Sequence, residues 1–443
     1  MGGRRGSGDT WREYGREGAT PTDGPASVCA PSSRAVGQRV RSAWPFGPIG
    51  ACAYLVGFAF PWSWDLPLLL LAIMSLLAIL TGVRHRPATW PPLSLPVLGF
   101  VGATAIAVCG SADVTHSLHL SAALLPGLLL FFLIAEHFPD LRATWLLYLT
   151  CSALSLGLAA ALLWGVWQAG GRPPSAQMVL AVGSPILLVP NDAALLAVLA
   201  PLSLATCSQR SRSVGGVTAA FALLLSVGVL VLLQSRTALL TMVAALMVAV
   251  VLLHGRRRLA VALACGLGLL ALALLVDGAG GFPLVAKLVR HWEWGGNGRW
   301  PLWRAAWAMF LDAPWWGHGP HTFVQLYRSY LHQLGLPTSS LVIPWAHNLY
   351  LEVLAERGII GFIALAVLLV YGLVAAWRLQ AAATGEAHRL GVGALAGLIG
   401  LCGAAAVELT FLRQWVVIVF FMVLGVIAHL TSVQTILEKG DAR

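Results

Sequence analysis

The sequence predicts an all-α, polytopic integral membrane protein, and three observations carry that expectation. Of 443 residues, 58% are apolar and only 10% charged, with a mean hydropathy of +0.79. A soluble domain carries about a quarter charged residues, so an ordinary cytosolic globule is excluded. Apolar runs near 18 residues recur from about residue 49 to residue 430, each able to cross a bilayer as a helix. The basic residues sit between those runs and form no continuous stripe, which argues against nucleic acid as a partner. None of the seven cysteines shows CxxC spacing, so neither a zinc site nor a disulfide framework is expected.

Residues 1–44 read as a polar, disordered cytoplasmic tail with seven arginines and without the pattern of a cleaved signal peptide. Twelve spans follow, at roughly 49–62, 66–83, 93–110, 119–136, 144–167, 190–206, 215–233, 237–253, 258–276, 358–376, 390–407 and 412–430. Nine of them fill residues 45–276, three fill 358–430, and 431–443 form a second cytoplasmic tail. With the N-terminus inside, the inner segments hold 19 of the 28 Lys and Arg residues. Six of the other nine lie in one long loop, and long loops weigh little in orientation. That places the 277–357 loop on the outer face.

Long connections usually serve function, and this one holds eight of the 18 tryptophans and five of the 12 histidines. Pro301–Asp312 reads as a helix lying in the membrane interface, its apolar stripe made of Trp303, Ala306, Trp307 and Phe310. Pro314 ends it, and Gly317–Pro320 is a turn. A second helix is expected from near Pro344 through His347 to Arg357, stopping before Gly358 and the tenth span.

Three elements place polar groups at the outer boundary. Gln234–Thr237 is so short that Arg236 is held at headgroup depth at a helix start, an arrangement suited to phosphate; a snorkelling arginine reads the same way. Arg299 follows Gly298 just before the interfacial helix, within reach of an anionic lipid head. His347, expected in a first helical turn, faces the positive helix end, which favours a neutral imidazole able to accept a proton. Asn348, Glu352 and Glu356 are spaced by four and share a face, whereas His347 lies off it, so spacing alone pairs no carboxylate with the histidine. His318 and His321 span a Gly-Pro turn without an obvious third ligand, so no metal site is expected. Asn191 follows Pro190 and opens a span from the outer side.

Together, SRTALL at 235–240, GRWPLWRAAWAMFLDAPWWGHGPHTF at 298–323, HNLYLEVLAERGIIG at 347–361 and the Pro-Asn-Asp at 190–192 resemble the signature of the O-antigen ligase and polymerase family. The resemblance implies a metal-independent, inverting glycosyltransferase of GT-C-like fold in the bacterial inner membrane, with no cofactor. Its donor would be a glycan on undecaprenyl diphosphate, and its acceptor lipid A–core or a second lipid-linked glycan at the periplasmic side, among membrane lipids. Carried over by position, Arg236 and Arg299 would hold the diphosphate, and His347 would act as base. Arg304 would share or replace the role of Arg299, with Trp303, Asn348, Glu352 and Asn191 on the substrate side. A transporter or flippase is the rival reading. It expects repeated halves and broken midplane helices, and the sequence shows no internal repeat.

Overall fold

A computed structural model describes residues 46–59, 90–168, 191–210, 213–232, 236–255, 263, 299–338, 342–343 and 345–441. The N-terminal tail, the spans expected at 66–83 and 258–276, and the start of the long loop lie outside them. The described residues are helical throughout, with turns and no strand. In chain order the helices are α1 (Phe46–Ala59), α2 (Ser94–Cys109), α3 (Val114–Ser121), α4 (Leu124–His137), α5 (Leu141–Gln168), α6 (Asn191–Arg210) and α7 (Val214–Leu232). There follow α8 (Arg236–His254), α9 (Arg299–Asp312), α10 (Phe323–Gln333), α11 (Leu349–Ala382), α12 (Gly385–Ala405) and α13 (Gln414–Asp441).

Six described segments are long and apolar enough to cross a membrane, and four shorter apolar helices coincide with further expected spans. The chain is a multi-pass helical membrane protein. α12 and α13 lie at the centre, with α12 against α6, α8 and α11 and α13 against α4. Small residues permit this: a Cβ on Gly127 of α4 would fall 2.6 Å from Phe421 of α13, and one on Gly400 of α12 3.2 Å from the Ala197 carbonyl.

The ion pairs and charged–amide contacts between elements gather at helix ends in two groups. At one end Gln209 donates to Glu386 and accepts from Arg389, while His388 faces the Gln380 and Leu252 carbonyls. At the other end the 111–117 connection, the 299–322 segment, the start of α11 and the 402–413 connection meet.

The long loop departs from the sequence reading in three ways. The interfacial helix begins at Arg299, two residues early, and its packed face is Leu302, Ala305, Ala306 and Met309. Trp307 lies outward, and Trp303 and Phe310 are only half-buried, so the expected stripe straddles the edge of the packed face. The small residues, not the tryptophans, permit close approach to α11. The second helix starts at Leu349, because Asn348 caps it by accepting the Leu351 N–H at 3.0 Å. His347 therefore precedes the helix, with φ 54°, instead of sitting in its first turn. Finally, Gly358 interrupts α11 without ending it.

Candidate functional site

The site is assembled on a backbone latch between the long loop and α11. Gly358 adopts φ 62° and ψ −167°, a region open essentially only to glycine. That breaks the helical ladder and releases carbonyls one turn back. The loop takes them: His318 N–H donates to Ala355 O at 3.1 Å and Gly319 N–H to Glu356 O at 2.9 Å. In return Ile359 N–H donates to Pro314 O at 2.8 Å. A Cβ on Gly317 would lie 2.3 Å from the Glu356 carbonyl carbon, so the two strands of the latch touch backbone to backbone. Ser111 and Ser117 hold the far side of the turn, Ser117 donating to Pro320 O at 2.7 Å. His321 is buried there, and burial, then Arg357 and His116, hold its pKa down to about 3, so it stays neutral. His318 sits on the Met309 carbonyl at 3.1 Å and near Tyr330. These two histidines serve the turn.

Beside the latch lie Arg299, His347 and a residue the sequence reading missed, Glu408. The Glu408 carboxylate, 4% exposed, accepts from Arg299 through one oxygen and lies 3.3 Å from His347 Nδ1 through the other. Trp345 Nε1–H donates to the same Nδ1 at 3.2 Å when that nitrogen carries no proton. One ring nitrogen can serve only one of these neighbours. In the other tautomer Nδ1–H donates to the carboxylate, and a charged acceptor makes the stronger bond. That tautomer leaves the Nε2 lone pair free, the state a proton acceptor needs.

The backbone of His347 is strained, since a positive φ costs a non-glycine residue about 1 kcal/mol or more, and its neighbours hold it there. Arg413 also enters the site unforeseen, its guanidinium 4.7 Å above the Trp345 ring, a cation–π contact next to the histidine. The signal for Glu408 and Arg413 was a short connection between two apolar runs carrying a carboxylate and an arginine five residues apart.

The other expected residues fall differently. Arg304 is exposed about 140° around α9 from Arg299, so of the two arginines it is Arg299 that meets Glu408. Trp303 is half-buried, with its indole N–H enclosed. Asn348 spends its side-chain oxygen on the helix cap. Glu352 is 2% exposed, and both its oxygens accept hydrogen bonds from within the protein. Arg236 begins α8 and Asn191 begins α6, while their side chains lie outside the described residues.

Residues 221–366 match a family model described as O-antigen ligase, which bears out the resemblance read from the motifs. The match spans Arg236, Arg299 and His347 and stops short of Glu408 and Arg413. No curated protein matches the chain. The family match supports an enzyme of O-antigen ligase or polymerase type that acts on lipid-linked glycan.

Proposed function

We propose that the protein transfers a glycan from undecaprenyl diphosphate to an acceptor hydroxyl at the outer face of the inner membrane, by a single inverting displacement. The observation that carries this reading is the Arg299–Glu408–His347 array, which sets a cation for phosphate beside an oriented imidazole at one end of a helical bundle. The acceptor oxygen attacks the anomeric carbon as its proton passes to His347 Nε2. The bond from that carbon to the diphosphate oxygen breaks, and undecaprenyl diphosphate departs. Glu408 keeps Nδ1 protonated and stabilises the imidazolium formed.

Arg299 spends one N–H group on Glu408 and has four left for the departing diphosphate. Arg236, at its helix start, and Arg413 add positive charge as the leaving group gains negative charge. Exposed Trp300, Trp307, Trp315 and Trp316 give the loop aromatic surface for the interface or for sugar faces. Transport is less well supported, because these polar groups gather at one end and not at the midplane.

Lipid-linked glycans in a deletion strain test the reading. Loss of a ligase leaves full-length chains on undecaprenyl diphosphate, whereas loss of a polymerase leaves single repeats. Lipid-linked precursor retained on the inner leaflet points to a flippase. Orientation has its own expected result: a reporter at Gln333 reads periplasmic and one at Arg378 cytoplasmic. A cytoplasmic signal at Gln333 puts the histidine in the wrong compartment and ends the reading.

A further inference from the structure

The geometry points to Glu352 as a positioning residue whose carboxyl group joins the chain segment carrying His347 to the segment carrying Glu408. This inference rests on the proposed role of His347 as base.

Glu352 Oε2 accepts the backbone N–H of Ala346, the residue before His347, at 3.2 Å. Its Oε1 accepts from the hydroxyl of Thr410, two residues beyond Glu408. Thr410 Oγ1 accepts in turn from Leu412 N–H at 3.1 Å, so the hydroxyl also shapes the turn of its own connection. Ala346 and Thr410 are wholly enclosed and Glu352 nearly so, which removes water as an alternative partner for any of the three. The base and its carboxylate partner come from connections 61 residues apart in sequence. Beside the 3.3 Å contact itself and the Arg413–Trp345 cation–π contact, Glu352 hydrogen-bonds to both connections.

A buried carboxyl group is an expensive way to fill space. Apolar residues of like volume are often neutral or stabilising in such places. What the carboxylate offers is two acceptors on one rigid plane, one toward each connection. The strained backbone of His347 makes such a tether consequential, because a residue held at positive φ relaxes when its neighbour is released. Tyr350, which donates to Cys402 O at 2.9 Å, ties α11 to α12 on the same side and keeps the helices in register. Glu352 acts from that fixed base on the segments that carry the imidazole and its carboxylate, without touching substrate.

The test uses the full-length protein in detergent, with lipid-linked glycan extracted from the deletion strain as donor and release of undecaprenyl diphosphate as readout. Glu352→Leu is expected to lower kcat about a hundredfold, the scale of an ångström-sized misplacement, with donor KM within about twofold. Thr410→Val, which cuts one arm only, is expected to lower kcat about tenfold, again at constant KM. Glu352→Gln recovers most of the loss: its amide oxygen accepts from Ala346 while its NH2 donates to the Thr410 hydroxyl.

If Glu352→Leu does not insert, Thr410→Val and Glu352→Gln still decide the matter. Wild-type kcat in Thr410→Val overturns the inference, as does a rise in KM at constant kcat. His347→Ala separates the two levels of argument. If it is inactive while Thr410→Val is normal, only the tether is wrong; if His347→Ala itself turns over normally, the reading of the base fails.

Discussion

His347→Ala is expected to reduce glycan transfer about a thousandfold or more while donor KM stays within about twofold. General-base catalysis contributes about 10²–10⁴ to a rate, and the imidazole acts on the acceptor proton, so little ground-state donor binding is lost. Arg299→Ala gives the contrasting pattern: it removes charge-assisted bonds to phosphate, so both donor KM and kcat worsen. Arg299→Lys rescues it only in part, because the charge returns without the planar fork. Glu408→Gln should resemble His347→Ala in KM yet keep some rate, since an amide oxygen can still orient Nδ1–H but cannot stabilise the imidazolium or neutralise Arg299. Kinetics on purified, monodisperse protein read all of these effects. Wild-type turnover in His347→Ala would make the histidine a strained structural residue and leave the site without a base.

The second large effect is expected at the latch. Gly358→Ala places a Cβ 2.3 Å from the Trp315 carbonyl oxygen, in a backbone conformation that alanine does not adopt. No flexible side chain can yield there, because the opposing atoms are main chain. The strain alone is worth about 2 kcal/mol or more, and relieving it requires the 313–319 turn to leave α11. Once undocked, the turn releases α9, and Arg299 with it. Transfer is expected to fall at least about a hundredfold. The bundle beneath still inserts, because its spans pack through other helices. Limited proteolysis in detergent checks this directly: cleavage appears between Asp312 and Phe323 in the variant and not in the parent. A variant that resists cleavage and turns over normally would show that the loop does not depend on the latch for its position.

What could be read in the sequence was what local chemistry specifies. Apolar runs gave the helical membrane architecture, since a bilayer demands internally satisfied backbone over about 20 residues whatever the neighbours are. The break at Gly358 was visible because glycine punctuates any apolar pattern. Arg299 and His347 could be singled out because each lies in a compact motif beside an apolar run.

Where the second helix starts was misread because Trp345 and Ala346 extend the apolar pattern backward, whereas the cap bond of Asn348 decides the start. The face of α9 was misread for a similar reason: tryptophans dominate a hydrophobic stripe, but Ala305 and Ala306 are what let α9 approach α11. Glu352 was expected on the substrate side with the His347 motif, and its spacing of four from Asn348 and Glu356 does not say which way that face turns. The tertiary structure turns that face inward, against Ala346 and Thr410.

Glu408 lies 61 residues from His347 and 109 from Arg299, and no periodicity or motif connects such distant positions. Its partnership arises only when α11 and α12 pack and bring two connections together. The sequence by itself thus determined the solvent each segment lives in and the chemical groups at the boundary, because both follow from local composition. Only the tertiary structure decided which of those groups meet, because a contact between connections depends on how helices remote in the chain pack.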